Sequence, residues 1–503
     1  MDYNHYWFLS PMIGEILHQH AVILCEPVNK KCQLLYTIIT QGDPVQTPQN
    51  VPKKGGLCGS APELFIKKFV DVNMDGPTRT IIKFPCDGLY VLQWMMFDNG
   101  QTVGEIPIVP VGDPTWPVNP ISFEHSLGGV EVSPWKCIYE HKIRVQDIPD
   151  SLIFVSCDLL EAETGKSLWT RMLTDIDNDK KQIGLIHLGD QAYMDNVFKK
   201  CVKLVRKNGY NSEIDNQILR AFGKRYYDTW KPHAEILSLT SNYTIWDDHE
   251  IKNNITLKQQ LPEHDNYVRQ IAVDAYQLYQ QSLHFHFNKI LSDYSWHKRL
   301  GSTLLMVVER TSKIISVNEI IATIQEYNQI DSIKRLILCF SSAPIPRPHG
   351  LYGNLYNQLT GDNGTAETSK FWDPNDLADL YRFLFLWMDS IQDREVLVAG
   401  GDLHFGTYGI AKKGTKEIPV IISSPITNEP TVDRWLASKG MKGTHQIVND
   451  ENPISFTTVE SKARRCYAIV NLNTVPMSVV MRYSTKKLPR NVINYYRTLI
   501  SFM

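Results

Sequence analysis

Four short apolar runs in this chain each stop on side chains of the kind that bind metal ions. "SLIFV" leads into Ser156-Cys157-Asp158, and "IGLIHL" leads into Gly189-Asp190 with Tyr193 just beyond. "YTIW" leads into Asp247-Asp248-His249-Glu250, and "VLVAG" leads into Gly401-Asp402-Leu403-His404. Together they offer a thiol, carboxylates, a phenol and imidazoles. Carboxylates gathered closely repel one another and raise one another's pKa, a penalty that bound cations remove. This donor mixture suits a transition metal such as iron or zinc, with a harder cation on the oxygen-rich side. Two such ions, roughly 3.5–4 Å apart, activate a water and clamp the oxygens of an in-line phosphoryl displacement.

Each tip also has a plainer reading. Gly-Asp makes a turn, Cys157 a small core residue, Tyr193 an ordinary amphipathic aromatic. The acidic run would serve a helix N-terminus, which accounts for one acid but not for three with a histidine. Asp247 and Glu250 read as groups that orient their neighbours. Asn253 and Asn254 read either as phosphate contacts or as caps, and His187 as a core histidine.

The tips can meet only if the runs are strands of one open sheet, where ligands bind beyond the carboxyl ends. Their nearly continuous apolar character is that of strands buried on both faces. Helical stretches alternate with them: "VFKKCVKLVRK", "NQILRAFGKRYYDTW", "NYVRQIAVDAYQLYQQSLHF" and "NDLADLYRFLFLWMDSI". From about residue 148 the pattern is therefore α/β, and the strand-like runs near the end cover or finish the sheet. Residues 1–147 instead show short apolar runs between Pro, Gly, Asn and Asp clusters, which predicts an all-β sandwich. "VGDPTWPVNP" (111–120) reads as a connector and "YNQLTGDNGTAETSK" (356–370) as a surface loop. The expected domains are 1–147 and 148–503, the second with a strand-rich C-terminal extension.

Composition narrows the function classes. A chain of 503 residues exceeds one hydrophobic core. A formal charge of −2 gives no general electrostatic hold on nucleic acid or an anionic membrane. No apolar run is long enough to span a bilayer. The nine cysteines contain no CxxC pair and read as reduced thiols. With no basic-apolar leader at the N-terminus, a cytoplasmic location is the expectation, non-classical secretion remaining open.

The ordered set "SC", "GDQAYMD", "WDDHEIKNN" and "GGDLHFG" resembles the PhoD-like (alkaline phosphatase D) branch of the calcineurin-like metallophosphoesterases. The resemblance covers about residues 148–430 and includes "AVDAYQLYQQSL" and "VIISSPIT". It implies a metallophosphoesterase-type β-sheet sandwich flanked by helices, preceded by an all-β sandwich domain. It implies that Cys157, Asp190, Tyr193 and His404 hold a ferric ion. Asp190 would bridge to a second site shared with Asp248 and Asp402, calcium in the family, with zinc, manganese or magnesium as alternatives. His249 would stabilise transition-state charge and protonate the leaving alkoxide; the nucleophile would be a metal-bound hydroxide.

Departures are visible. The superfamily's opening Asp-x-His is replaced by Cys157-Asp158, and Glu309 stands where the branch often has the acid of a DxR strand. A separate histidine motif is not evident, although His284, His286 and His349 lie in the interval. The implied activity is hydrolysis of phosphomonoesters or phosphodiesters, on a small molecule, lipid head group or phosphoprotein. The alternative is a non-catalytic binding or scaffold protein built on the same domain.

Overall fold

The computed structural model describes residues 7–17, 20–27, 32–40, 64–70, 72, 77–84, 87–98, 136–146, 148–159, 168–176, 181–255, 259–284, 295–309, 316–327, 332–342, 344–360, 372–428 and 431–485. The expected connector at 111–120 and residues 361–370 of the expected loop lie outside them.

Strands β1 (Trp7–Leu17), β2 (His20–Pro27), β3 (Cys32–Thr40), β4 (Leu64–Val70), β5 (Thr78–Lys83), β6 (Gly88–Asp98) and β7 (Lys136–Val145) form two antiparallel sheets, β1-β2-β5 and β4-β3-β6-β7. Ile13, Ile23 and Ile82 of the first sheet share one buried cluster with Leu34, Leu92, Trp94 and Ile143 of the second. This is the sandwich expected from the short, punctuated apolar runs.

The remaining strands are β8 (Ser151–Val155), β9 (Ile183–His187), β10 (Ser241–Thr244), β11 (Trp296–Leu300), β12 (Thr303–Val308), β13 (Arg335–Phe340) and β14 (Glu395–Gly400). They continue with β15 (Gly406–Lys413), β16 (Lys416–Ile422), β17 (Gly443–Val448), β18 (Ile454–Lys462), β19 (Cys466–Asn471) and β20 (Ser478–Tyr483). They make sheets of order β10-β9-β8-β19-β20 and β11-β12-β13-β14-β16-β15-β18-β17. β8, β9 and β10 run parallel, as do β12, β13, β14 and β16. β19 pairs antiparallel with β8, so the late strands finish the first of these sheets.

Alternation along the strands builds the layers. Phe154, Ile186 and Tyr243 of the smaller sheet pack between the sheets against Leu305, Val307, Ile337 and Leu397 of the larger. Their neighbours face outward. Ile153, Val155 and Leu185 meet Trp169, Phe198, Phe222, Ile236 and Tyr276 of α1 (Leu168–Asp175), α2 (Asp195–Asn208), α3 (Ser212–Trp230), α4 (Ala234–Leu239) and α5 (Glu263–Tyr279). On the far side Met306, Leu338 and Val398 meet Ile320, Leu384 and Leu436 of α6 (Val317–Glu326), α8 (Pro374–Ser390) and α9 (Val432–Gly440). Strands covered on both faces explain the continuous apolar runs. Helix α7 (Gly350–Thr360) takes in residues 356–360, expected to belong to a loop. Its buried Tyr356 anchors that turn, which the polar composition concealed. No helix among the described residues is long and apolar enough to cross a membrane.

The N-terminal sheets dock directly on the α/β layers. Arg79 donates to the carbonyls of Ser282 and His284 at 2.8 and 2.9 Å, Lys298 pairs with Glu15 at 2.6 Å, and Asn242 Nδ2 donates to Ile13 O at 2.7 Å. Two buried histidines lie under this junction. His187 Nε2 is 3.0 Å from Asn242 Oδ1, and His284 Nε2 accepts from Thr244 N at 3.4 Å. Burial pushes both down from the ordinary 6.5 to about 4. The unfolded chain then binds more protons than the folded one between pH 6.5 and 4, so stability falls as pH drops through that window. At about 1.4 kcal/mol per pKa unit, each costs about 2 kcal/mol of stability by pH 5. Denaturant titrations at pH 7 and 5 should show that loss in the native chain, with His284→Gln reducing it by about 2 kcal/mol. An unchanged pH dependence in that variant would count against a neutral buried His284.

Candidate metal centre

Parallel strands from both sheets deliver their carboxyl ends to one place, and the backbone there is bent out of ordinary conformation. Cys157, Asp190, Asp402 and His404 have φ of 58°, 57°, 59° and 54°. Such values are costly for L residues and persist where surrounding structure enforces them, commonly at functional sites. Two glycines make the convergence sterically feasible. A Cβ on Gly401 would lie 2.4 Å from Leu188 O and 2.9 Å from Ser341 O, and one on Gly189 (φ +89°) 2.6 Å from Asp247 Cβ. The tips are also stitched together: Cys157 N donates to Gly189 O at 3.3 Å and Asp158 N to Asp190 O at 2.9 Å.

The side chains converge in three groups whose donor atoms lie within 4.8 Å of one another: Cys157–Asp190–His404, Asp190–Asp248–His249 and Asp190–Asp247–Asp402. Asp190 belongs to all three. Cys157 Sγ is 3.4 Å from Asp190 Oδ2; Tyr193 OH is 3.3 Å from the same oxygen and 3.0 Å from His404 Nε2. Every residue expected from sequence to hold a metal therefore lies in this cluster. Asp247, expected only to orient its neighbours, is placed with Asp190 and Asp402, and its Oδ2 has no hydrogen-bond partner among the described residues. Asp248 instead accepts from Asn254 N and groups with His249. Of the other histidines considered, His284 lies under the N-terminal junction and His349 stacks on His445 at 3.9 Å between ring centroids; His286 is outside the described residues.

Without cations this cluster is electrostatically frustrated. Burial, then Asp190 and Asp402, drives the Cys157 thiol far above its ordinary range. Burial, then Cys157 and Asp190, does the same to Tyr193. Asp247 is raised strongly by burial and by Asp190, Asp248, Asp402 and Glu250. Bound cations are what allow such groups to ionise together, and thiolate, phenolate, imidazole and carboxylate are the donors that fit iron beside an oxygen-ligated ion.

The supporting residues are of two kinds. Glu250, fully buried, takes N–H bonds from Asp190, Gln191 and Asp247 at 3.2, 2.7 and 2.7 Å, clamping the tips of β9 and β10 together. Burial and Asp190 push its pKa up to about 8 against the lowering effect of those bonds. Asp195, at the start of α2, pairs with His249 Nδ1 at 2.7 Å and accepts from Asn253 N at 2.9 Å. Burial alone would depress His249, but Asp190, Asp195 and Asp248 together raise it to about 9. The chain after β16 adds Ser424, 3.2 Å from Cys157 Sγ, and Asn428, which donates to Tyr193 OH at 3.1 Å. Asp195, Ser424 and Asn428 carried no sequence signal as site residues, although Asp195 closes the "GDQAYMD" stretch and the other two follow "VII".

No protein-family model matches the sequence, and no curated protein matches it significantly. Among solved structures, a structure of PhoD superposes with a TM-score of 0.56 at 13% identity, covering 97% of this chain and 94% of that one. Purple acid phosphatase PPD1 from yellow lupin (Lupinus luteus) seeds gives a TM-score of 0.47 at 10% identity, covering 95% and 72%, too slight a likeness to build on. The first match establishes the fold: a metallophosphoesterase-type α/β sandwich with an all-β region before it, as the resemblance implied.

Proposed function

We propose that this chain is a metal-dependent hydrolase of phosphoric esters, working at a dinuclear centre on the shared strand tips. What supports it most is one residue, the buried Asp190 carboxylate, common to a thiol-imidazole group on one side and an all-carboxylate group on the other. Cys157, Asp190, Tyr193 and His404 would hold iron. Asp190 and Asp402, with Asp247 or Asp248, would hold the second ion, calcium or another divalent metal. When bound, the ions supply an activated water and neutralise charge on the phosphoryl oxygens.

The chain's own residues do the rest. His249, its pKa raised by the carboxylates around it and its ring fixed through Nδ1 by Asp195, presents Nε2 as proton donor to the leaving-group oxygen. Asn428 fixes the Tyr193 oxygen toward His404. Glu250 keeps the two tips in register. The domain limits we propose are 1–147 and 148–503, with catalysis in the second.

The test is turnover of p-nitrophenyl phosphate and bis(p-nitrophenyl) phosphate by the purified chain, followed with its visible spectrum. Hydrolysis abolished by chelation and restored by iron with a divalent ion is expected. So is a phenolate-to-iron absorption band that disappears in Tyr193→Phe. An inert, metal-free chain would refute the proposal. A band that survives in Tyr193→Phe would refute the tyrosine as a ligand while leaving Asp190 in place.

A further inference from the structure

The segment that lines the cluster after β16 runs on into a helix that carries a largely buried arginine. Ser423 N donates to Gly400 O at 3.0 Å, Ser424 Oγ accepts from His404 N at 2.9 Å, and Asn428 reaches Tyr193. The chain then enters α9, which carries Arg434. Its guanidinium is fixed from two directions. Nη1 donates to Tyr356 OH at 3.1 Å, and Nε lies 3.1 Å from Asp433 Oδ2. Tyr356 belongs to α7, which follows the carboxyl end of β13, as α9 follows that of β16. Both helices therefore stand at the edge of the sheet where ligands bind.

Two features set this arginine apart from an ordinary ion pair. Its side chain is only 12% exposed, yet Asp433 does not use its full fork, and Nη2 makes no hydrogen bond among the described residues. Burial opposes its charge, and Tyr356, Asp433, Asp402 and Cys157 together sustain it, so its field and that of the cluster overlap. Arginine's planar fork matches a phosphoryl group's oxygens, and a guanidinium preset by a tyrosine loses little freedom on binding.

We propose that Arg434, held by Tyr356, binds the non-bridging oxygens of the phosphoryl group seated at the metal centre. The inference rests on the phosphoester reading above and adds a residue that determines affinity for the anion. It is tested with metal-loaded protein, inorganic phosphate and a chromogenic monoester. Arg434→Gln should weaken phosphate binding, measured by calorimetry, and raise KM by about 10- to 100-fold, the worth of a charged hydrogen bond. Metal content and the visible band should not change. Arg434→Lys should recover part of the affinity, because it restores charge but not the fork, and Tyr356→Phe should lose less than Arg434→Gln. A residue needed only to pack α9 on α7 would alter stability and leave phosphate affinity alone.

Unchanged phosphate affinity and KM in Arg434→Gln, with metals retained, would overturn the assignment and leave the hydrolase reading standing. If that variant loses metal or fold, the lysine variant decides. Native affinity in it would overturn the bidentate contact, and partial loss would sustain it. A native chain that neither binds phosphate nor hydrolyses the ester would overturn both readings.

Discussion

Asp190→Asn abolishes hydrolysis and strips the purified chain of both ions: that is the expected result, and few single-atom changes should do as much. Each candidate group loses one donor at once, because Asp190 is the member common to all three. Losing a residue that merely supports a ligand costs roughly 10- to 100-fold in metal affinity, and losing the bridging ligand itself should cost more. The substitution should be structurally mild. Asp190 has φ of 57°, a conformation that asparagine tolerates at least as well, and its backbone N–H to Glu250 is untouched. Asp190 also raises the pKa values of Cys157, Tyr193, Asp247 and Glu250. The metal-free Asp190→Asn variant should therefore unfold at a denaturant concentration no lower than metal-free native protein. Elemental analysis, hydrolysis rate and denaturant midpoint on one preparation check this. Full activity in the variant would remove the bridge from the account.

His249→Asn is expected to have the second largest effect, of a different kind. Metals stay bound, and kcat falls by about 10²–10⁴-fold, the usual contribution of a positioned acid. The fall should be steeper for alkyl phosphates than for p-nitrophenyl phosphate, whose leaving group needs no proton. Asp195→Asn, which unfixes Nδ1 without removing the ring, should lose roughly 10- to 100-fold. The pH profile supplies a further check. The histidine donates only while charged, so the native rate should fall as pH rises through its pKa. That limb lies at or below about 9, since cations on Asp190 and Asp248 weaken two of the carboxylates that raise it. His249→Asn should lack the limb. A variant that keeps both the native rate and the native limb would mean that another group donates the proton.

The layers were legible in the sequence because strands buried on both faces must be apolar throughout. "SLIFV", "IGLIH" and "TLLMVV" have no exposed residue. The tips were legible because Cys157, Asp190, Asp248 and Asp402 each come within four residues of the end of such a run, whereas Tyr193 was marked by the family resemblance and by nothing in the run before it. What was not legible depends on tertiary approach. Asp247 reaches Asp402 because Gly189 has no Cβ to hold it off, and nothing local to Asp247 announces this. Asp195 meets His249 across the gap between the start of α2 and the β10 tip. Asn428 and Arg434 enter from the segment after β16, whose path is set by Ser424 and the bonds around Cys157. Residues 356–360, the end of the helix "GLYGNLYNQLT", read as part of the surface loop 356–370 because that run is polar, while the buried Tyr356 that holds them in the helix makes its contacts only in the fold.

Anomalous diffraction from crystals of the chain as purified, recorded at the iron edge and away from it, tests the central claim most directly. The account predicts one iron peak in bonding contact with Cys157 Sγ, Tyr193 OH and His404, and a second ion sharing Asp190 and lying against Asp402. Crystals of an active preparation with no ion among these residues would contradict it.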